Sequence, residues 1–205
     1  MVARLGLLLA LVVWSARADE RSAAKVAEAL GAFDAVDAIP RDDKSARLAQ
    51  YERVVTIAEE AVALDDRDAH AHFALFLGLA GQMEIAGLSW RSLTRLHRMV
   101  VENDRAYALA PDDADILVAR SQLLRELPRP LGGDPGTATA LLARALALNP
   151  NHVAGRLYLA EEAAASGAPD ARMRAEEALA LATRAHARRQ EAEARALVAN
   201  LEDGR

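Results

Sequence analysis

The 205-residue chain contains no cysteine. It therefore forms no disulfide, and it offers no thiol for the lipid that anchors bacterial lipoproteins. Aromatic residues make up only 4% of it, so large rigid anchors are few and the interior must be built from Ala, Leu and Val. Ala and Leu favour helix and strand formers are scarce, which predicts an all-α protein. Long hydrophobic runs are missing too. The apolar stretch Leu5 to Trp14 covers ten residues, about half of the roughly 20 that span a bilayer.

Three motif classes with chemistry of their own are also missing. Zinc proteases need H-E-x-x-H, and hydrolase elbows need G-x-S-x-G; neither occurs. Gly132-Gly133-Asp134-Pro135 precedes a helical pattern, but no Lys follows to reach a phosphate. Asp134 and Pro135 fit an N-cap and a first-turn proline better, with both glycines turning the chain at positive φ. That segment reads as an elbow between helices. The histidines His70, His72, His97, His152 and His186 lack ligand spacing, and His70 and His72 point about 200° apart on a helix, so surface or groove positions are expected. Adjacent carboxylates such as Glu59-Glu60, Glu161-Glu162 and Glu176-Glu177 diverge around a helix and read as solvated faces. No catalytic residue, metal or cofactor is expected; an enzyme would need a site assembled across the fold.

The N-terminus has one early cation, Arg4, then the apolar run, then Ala16-Arg17-Ala18. That order predicts a signal peptide over residues 1–18 and a mature domain over residues 19–205, periplasmic or secreted, with no stable membrane insertion after cleavage. Loss of residues 1–18 leaves 23 basic against 30 acidic residues, net −7. Nucleic acid, which needs a basic surface, is not an expected partner.

A repeat runs through the rest. "AVALDDRDA" from Ala61, "AYALAPDDA" from Ala106 and "ALALNPNHV" from Ala145 share Ala-x-Ala-Leu before an acidic or proline stop, with a weaker copy from Ala178; the offsets are 45, 39 and 33 residues. Each unit reads as two helices packed through small Ala, leaving an apolar face for a neighbouring unit to cover. Helices are expected at about 21–38, 42–64, 68–82, 85–109, 112–127, 135–148, 151–166, 169–183 and 186–202. Leu93, Leu96 and Val100 should continue the core stripe of the fourth, and Ala192, Ala196, Leu197 and Leu201 should form the packed stripe of a capping last helix.

The third copy, with Ala145, Pro150, Leu159-Ala160 and Gly167, resembles a tetratricopeptide repeat. Asp66 in place of the proline and the intervals of 45 and 39 depart from that family's regular pattern. The resemblance implies an all-α, tetratricopeptide-like helical-hairpin solenoid with elongated, divergent repeats. Over residues 50–167 the arrangement is similar to two groups: the periplasmic partner protein of TRAP-type solute transporters, and the regulator of microtubule dynamics family. It implies an adaptor for a protein partner, by the first group an extracytoplasmic solute-binding protein, and a homo-oligomer, there trimeric.

The segment around "LSWRSLTRLHRMV" places Trp90, Arg91, Arg95 and Arg98 together in an acidic chain. One reading is core packing of the Trp, with the arginines paired to nearby acids. The other is a binding surface on a concave face: Trp90 as anchor, Arg91 and Arg95 receiving a carboxylate, joined by Tyr107, Arg120 and Tyr158. A carrier holding a small apolar or amphipathic ligand between helices is the alternative to the adaptor.

Overall fold

The structure is a computed structural model describing residues 19–87 and 92–203; the expected signal peptide, Trp90 and Arg91 lie outside the described residues. Among these residues the protein is all-α and built of helical hairpins, as the composition and repeats predict. Nine α-helices occur: α1 (19–34), α2 (Lys44–Leu64), α3 (Ala69–Ala86), α4 (Leu93–Leu109), α5 (Ala114–Glu126), α6 (Pro135–Leu148), α7 (Val153–Ala165), α8 (Ala171–Arg184) and α9 (Arg188–Glu202). Short 3-10 turns follow α1 and α5, at Ala35–Ala38 and Arg129–Leu131. The chain divides into two compact units, one ending at Ala110 and one beginning at Pro111.

The repeated segments mark how the helices end and restart. Ala61, Ala106 and Ala145 are fully buried in the last turns of α2, α4 and α6, where a larger side chain would push neighbouring helices apart. Each carbonyl accepts from the backbone N–H four residues on, closing the helix. Seven residues after each of these alanines a side chain caps the next helix: Asp68 accepts from the His70 and Ala71 amides, Asp113 from Ile116, and His152 Nδ1 from Gly155. Each cap satisfies first-turn donors that have no partner within the helix.

In the first unit α3 lies between α2 and α4 and is buried on most of its circumference, through Ala71, Ala74, Leu75 and Leu79 among others. Gly78 and Gly81 let it approach α2 closely, and the buried Tyr51 ring occupies the space a Gly81 side chain would need. Helix α1 adds Val26, Ala29 and Ala32. Its Ser22 hydroxyl donates to the Ala61 carbonyl and the Asp68 carboxylate, tying α1 to the turn between α2 and α3.

In the second unit α5 packs on α6, and Ile116, Leu117, Leu141 and Leu142 of the two helices are buried. Helices α7, α8 and α9 share a separate cluster of Leu157, Ala160, Ala175, Ala178 and Ala194. The "LPRPLGGD" segment is an elbow, with one revision to its glycines. Gly132 takes a left-handed conformation at φ 98°, whereas Gly133 is required by proximity: a Cβ there would sit 1.8 Å from the Leu127 carbonyl oxygen. Asp134 caps α6, accepting from the Gly136 and Thr137 amides and the Thr137 hydroxyl, and Pro135 fills the first helical position.

Three further expectations are corrected. The long helix foreseen from residue 85 is shorter: α3 continues to Ala86, Gly87 leaves it at φ 69°, the buried Ser92 hydroxyl donates to the Gly87 carbonyl, and α4 starts at Leu93. Leu93 is consequently half exposed, and the stripe packed in α4 is Leu96, Met99, Asn103 and Ala106. On α9 the packed residues are Ala194, Leu197, Val198 and Leu201, while Ala192 and Ala196 face solvent, because the i, i+3, i+4, i+7 face begins at Ala194. No helix of the described residues is long and apolar enough to cross a membrane.

Candidate functional site

Helices α5 and α7 enclose a cleft of about 200 Å³. Ser121, Gln122, Arg125 and Glu126 line it from α5; Tyr158, Glu161, Glu162 and Ala165 line it from α7. The α7 residues recur at i, i+3, i+4 and i+7, so one helical face supplies that wall. A larger hollow of about 490 Å³ is bordered by residues of α9 alone. With no facing element it is a shallow surface, and the α5–α7 cleft is the better enclosed of the two.

The cleft has two electrostatic sides. On one, Arg125 donates to Glu162 at 3.1 Å across the helix pair, and the Thr139 hydroxyl of α6 donates to the other Glu162 oxygen at 2.9 Å. On the other, Gln122 donates to Glu126 at 2.9 Å, and Glu126 and Glu193 stand near Glu161. Partial desolvation, then repulsion from Glu193 and Glu126, lifts the Glu161 carboxyl above the usual range; Arg125 opposes the shift. Tyr158 is largely buried, and that burial, with the negative charge of Glu193, Glu161 and Glu126 outweighing the opposing charge of Arg189, holds its phenol protonated well above its ordinary range.

These groups can bind a charged ligand. Ser121 is buried with its hydroxyl committed to the Ala138 carbonyl at 2.8 Å, and no histidine lines the cleft. A flat phenol ring beside several carboxylates suits a positively charged, elongated group, with the ring taking the stem or the cation face and the carboxylates the charge.

Of the described residues assigned from sequence to a binding surface, Tyr158 alone lines this cleft. Arg120 lies on α5, partly buried, one residue outside the lining. Arg95 and Tyr107 are both partly buried on α4 in the first unit. Twelve residues apart, they are separated by about 18 Å along the helix and about 120° around it, so they do not form one patch. Arg98 pairs with Glu59 of α2 at 2.6 Å, in keeping with the plainer reading of these arginines.

Sequence reasoning missed Arg125, Glu126 and Glu161. Glu161 is exposed, as the solvated-face reading expects, while Glu162 is partly buried and held by Arg125; both border the cleft from the same face of α7. The signal was the Tyr158-x-x-Glu161-Glu162 spacing, legible only with knowledge that α5 faces α7. Two histidines are also corrected: His72 and His152 are buried, each held by a carboxylate from another helix, Glu102 at 2.6 Å and Asp115 at 2.8 Å. Among the described residues, no group of three or more His, Asp or Glu is arranged to hold a metal ion.

No protein-family model matches the chain, and no curated protein matches it.

Proposed function

We propose that this protein is a non-catalytic adaptor, and that the α5–α7 cleft of its second unit receives a lysine or arginine side chain of a protein partner. The observation that supports this reading is the uneven charge around Tyr158. Arg125 is engaged by Glu162, while Glu126 and Glu193 raise the Glu161 carboxyl and, with Glu161, outweigh the positive charge of Arg189 at Tyr158. A guanidinium or ammonium group entering there would relieve the repulsion, and its methylene stem would lie along the ring. Preformed helices carry the groups, so little conformational entropy is lost on docking.

Tetratricopeptide-like ancestry is part of the proposal. It is supported by the three buried alanines, Ala61, Ala106 and Ala145, each followed seven residues later by a capping side chain. So is export: residues 1–18 act as a signal peptide, and the partner is an envelope component, by resemblance an extracytoplasmic solute-binding protein, met by a monomer or homo-oligomer of this chain. The carrier alternative requires an apolar interior cavity, and the charged groups lining the cleft favour the adaptor over it.

The test compares wild type with Glu161→Lys, Tyr158→Ala and Arg95→Ala in pull-downs from envelope extract, followed by direct titration of any retained protein. Charge reversal at Glu161 should weaken binding at least about tenfold, or about 1.4 kcal/mol, with Arg95→Ala unchanged. Equal binding by wild type and Glu161→Lys would overturn the assignment of the cleft. A co-purifying small molecule in native mass spectrometry, without a retained protein, would replace the adaptor by the carrier.

A further inference from the structure

His72 sits in the first turns of α3, 7% exposed, with an acceptor on each ring nitrogen. Nδ1 lies 2.6 Å from the Glu102 carboxylate of α4, and Nε2 lies 3.0 Å from the Asp66 carbonyl in the turn between α2 and α3. A carbonyl has no proton to give and an ionised carboxylate has none either. A neutral imidazole carries a single N–H and satisfies one of the two; only the imidazolium satisfies both.

We propose that His72 is a proton-dependent clasp that, when doubly protonated, ties α4 and the α2–α3 turn to the start of α3, and that loss of one proton releases one of these ties.

The charges around the ring come from every element packed on α3. From α4, Glu102 favours the cation, while Arg105, whose guanidinium also donates to the Asp66 carbonyl at 3.4 Å, disfavours it. Arg98 of α4 lies 3.9 Å from Glu102 and 2.6 Å from Glu59 of α2, so it holds the same carboxylate from the far side. From the turn, Asp66 presents its carbonyl, and Asp68 caps α3 itself. Burial works against the charged ring, but the hydrogen bonds to Glu102 and Asp66 and the Glu102 charge outweigh it, and the pKa is raised from 6.5. A raised histidine pKa contributes stability that is complete below the unfolded value and is lost as pH rises through the folded value. The clasp is therefore closed below pH 6.5 and opens as pH rises through the raised midpoint.

His152 shows the contrast within the same chain. Its Nδ1 accepts from the Gly155 amide and its Nε2 faces Asp115, so one proton satisfies both nitrogens. Two buried histidines, each paired with a carboxylate, thus differ in the number of protons their surroundings demand. The clasp asks for two.

The experiment follows the ring nitrogens of the full chain by NMR from about pH 5 to about pH 9, with His72→Gln to assign the signals, alongside hydrogen exchange of the α4 amides corrected for intrinsic rate. His72 should titrate above 6.5, with both nitrogens protonated below that midpoint, and Glu102→Gln should bring the midpoint down. Protection over Asn103–Leu109 should fall as pH passes that midpoint, by up to about tenfold for each pH unit of the measured shift. In Glu102→Gln, which keeps the side chain's size, that fall should be reduced. A midpoint at or below 6.5, a single neutral tautomer near pH 6, or the same pH dependence of exchange in wild type and Glu102→Gln would each overturn the proposal.

Discussion

Tyr51 and Gly81 show how much one atom matters in a core poor in aromatics. A Cβ on Gly81 would lie 2.2–2.4 Å from three carbons of the Tyr51 ring, and that ring is fully buried. Overpacking of this kind typically costs about 1–3 kcal/mol, and three sub-van-der-Waals contacts to a fully buried ring belong at the upper end. Gly81→Ala should lower the urea midpoint accordingly. Gly31 is the control on the same unit. It lies exposed in α1, and a Cβ there would have nothing within 4 Å, so Gly31→Ala should raise stability by about 0.5–1 kcal/mol through helix propensity alone. A Gly81→Ala protein as stable as wild type would mean that α2 and α3 are not in close contact at the Tyr51 ring.

At the scale of the element, most helices were legible because their ends are written in local chemistry. Pro111 and Pro150 stop helices by removing an N–H, Asp68, Asp113 and Asp134 start them by accepting amides, and Gly167 closes α7 at φ 67°. What remained hidden depended on partners distant in sequence. His152 reads as a surface histidine until Gly155 and Asp115 are seen to use both its nitrogens, and Gly133 reads as a left-handed turn residue until the Leu127 carbonyl is seen against its Cα. Likewise the α5–α7 cleft exists only where two helices meet, and no spacing within either announces it. The elbow gives a test at this scale. With a Cβ 1.8 Å from backbone oxygen, Gly133→Ala cannot be absorbed by a side-chain rotation; it must displace the Leu127 carbonyl and with it the bonds from Gly133 to Pro128 and from Asp134 to the Leu124 carbonyl, 3.2 and 2.8 Å. It should cost about 3 kcal/mol or more, the range of large mechanism-specific effects, measured by thermal unfolding, whereas Gly136→Ala, 3.4 Å from the Asp134 carboxylate, should be tolerated. If both substitutions behave alike, close approach is not what requires glycine at position 133.

At the scale of the whole molecule, each compact unit holds its own interior. From Pro111 on, α5 packs on α6 with Leu117 and Leu142 buried, and Leu157, Ala160, Ala175, Ala178 and Ala194 form a cluster across α7, α8 and α9. The first residues of this unit also carry their own fastenings: Asp112 pairs with Arg144 of α6, and Asp113 caps α5. Nearly every packing partner is a helix adjacent in sequence, so little loop entropy opposes folding of the piece alone. A fragment of residues 111–205 should therefore fold by itself, with helical circular dichroism and one cooperative thermal transition. Its stability should be modest, because alanine contributes little apolar area and so much of the interior is alanine. Leu157→Ala should lower the fragment's stability by about 2–5 kcal/mol or unfold it, since Leu157 is 1% exposed at the centre of the second cluster. A fragment that is helical but melts without cooperativity would show that its Ala-rich interior needs the rest of the chain to become a fixed core, and the two units would then have to be treated as one folding body.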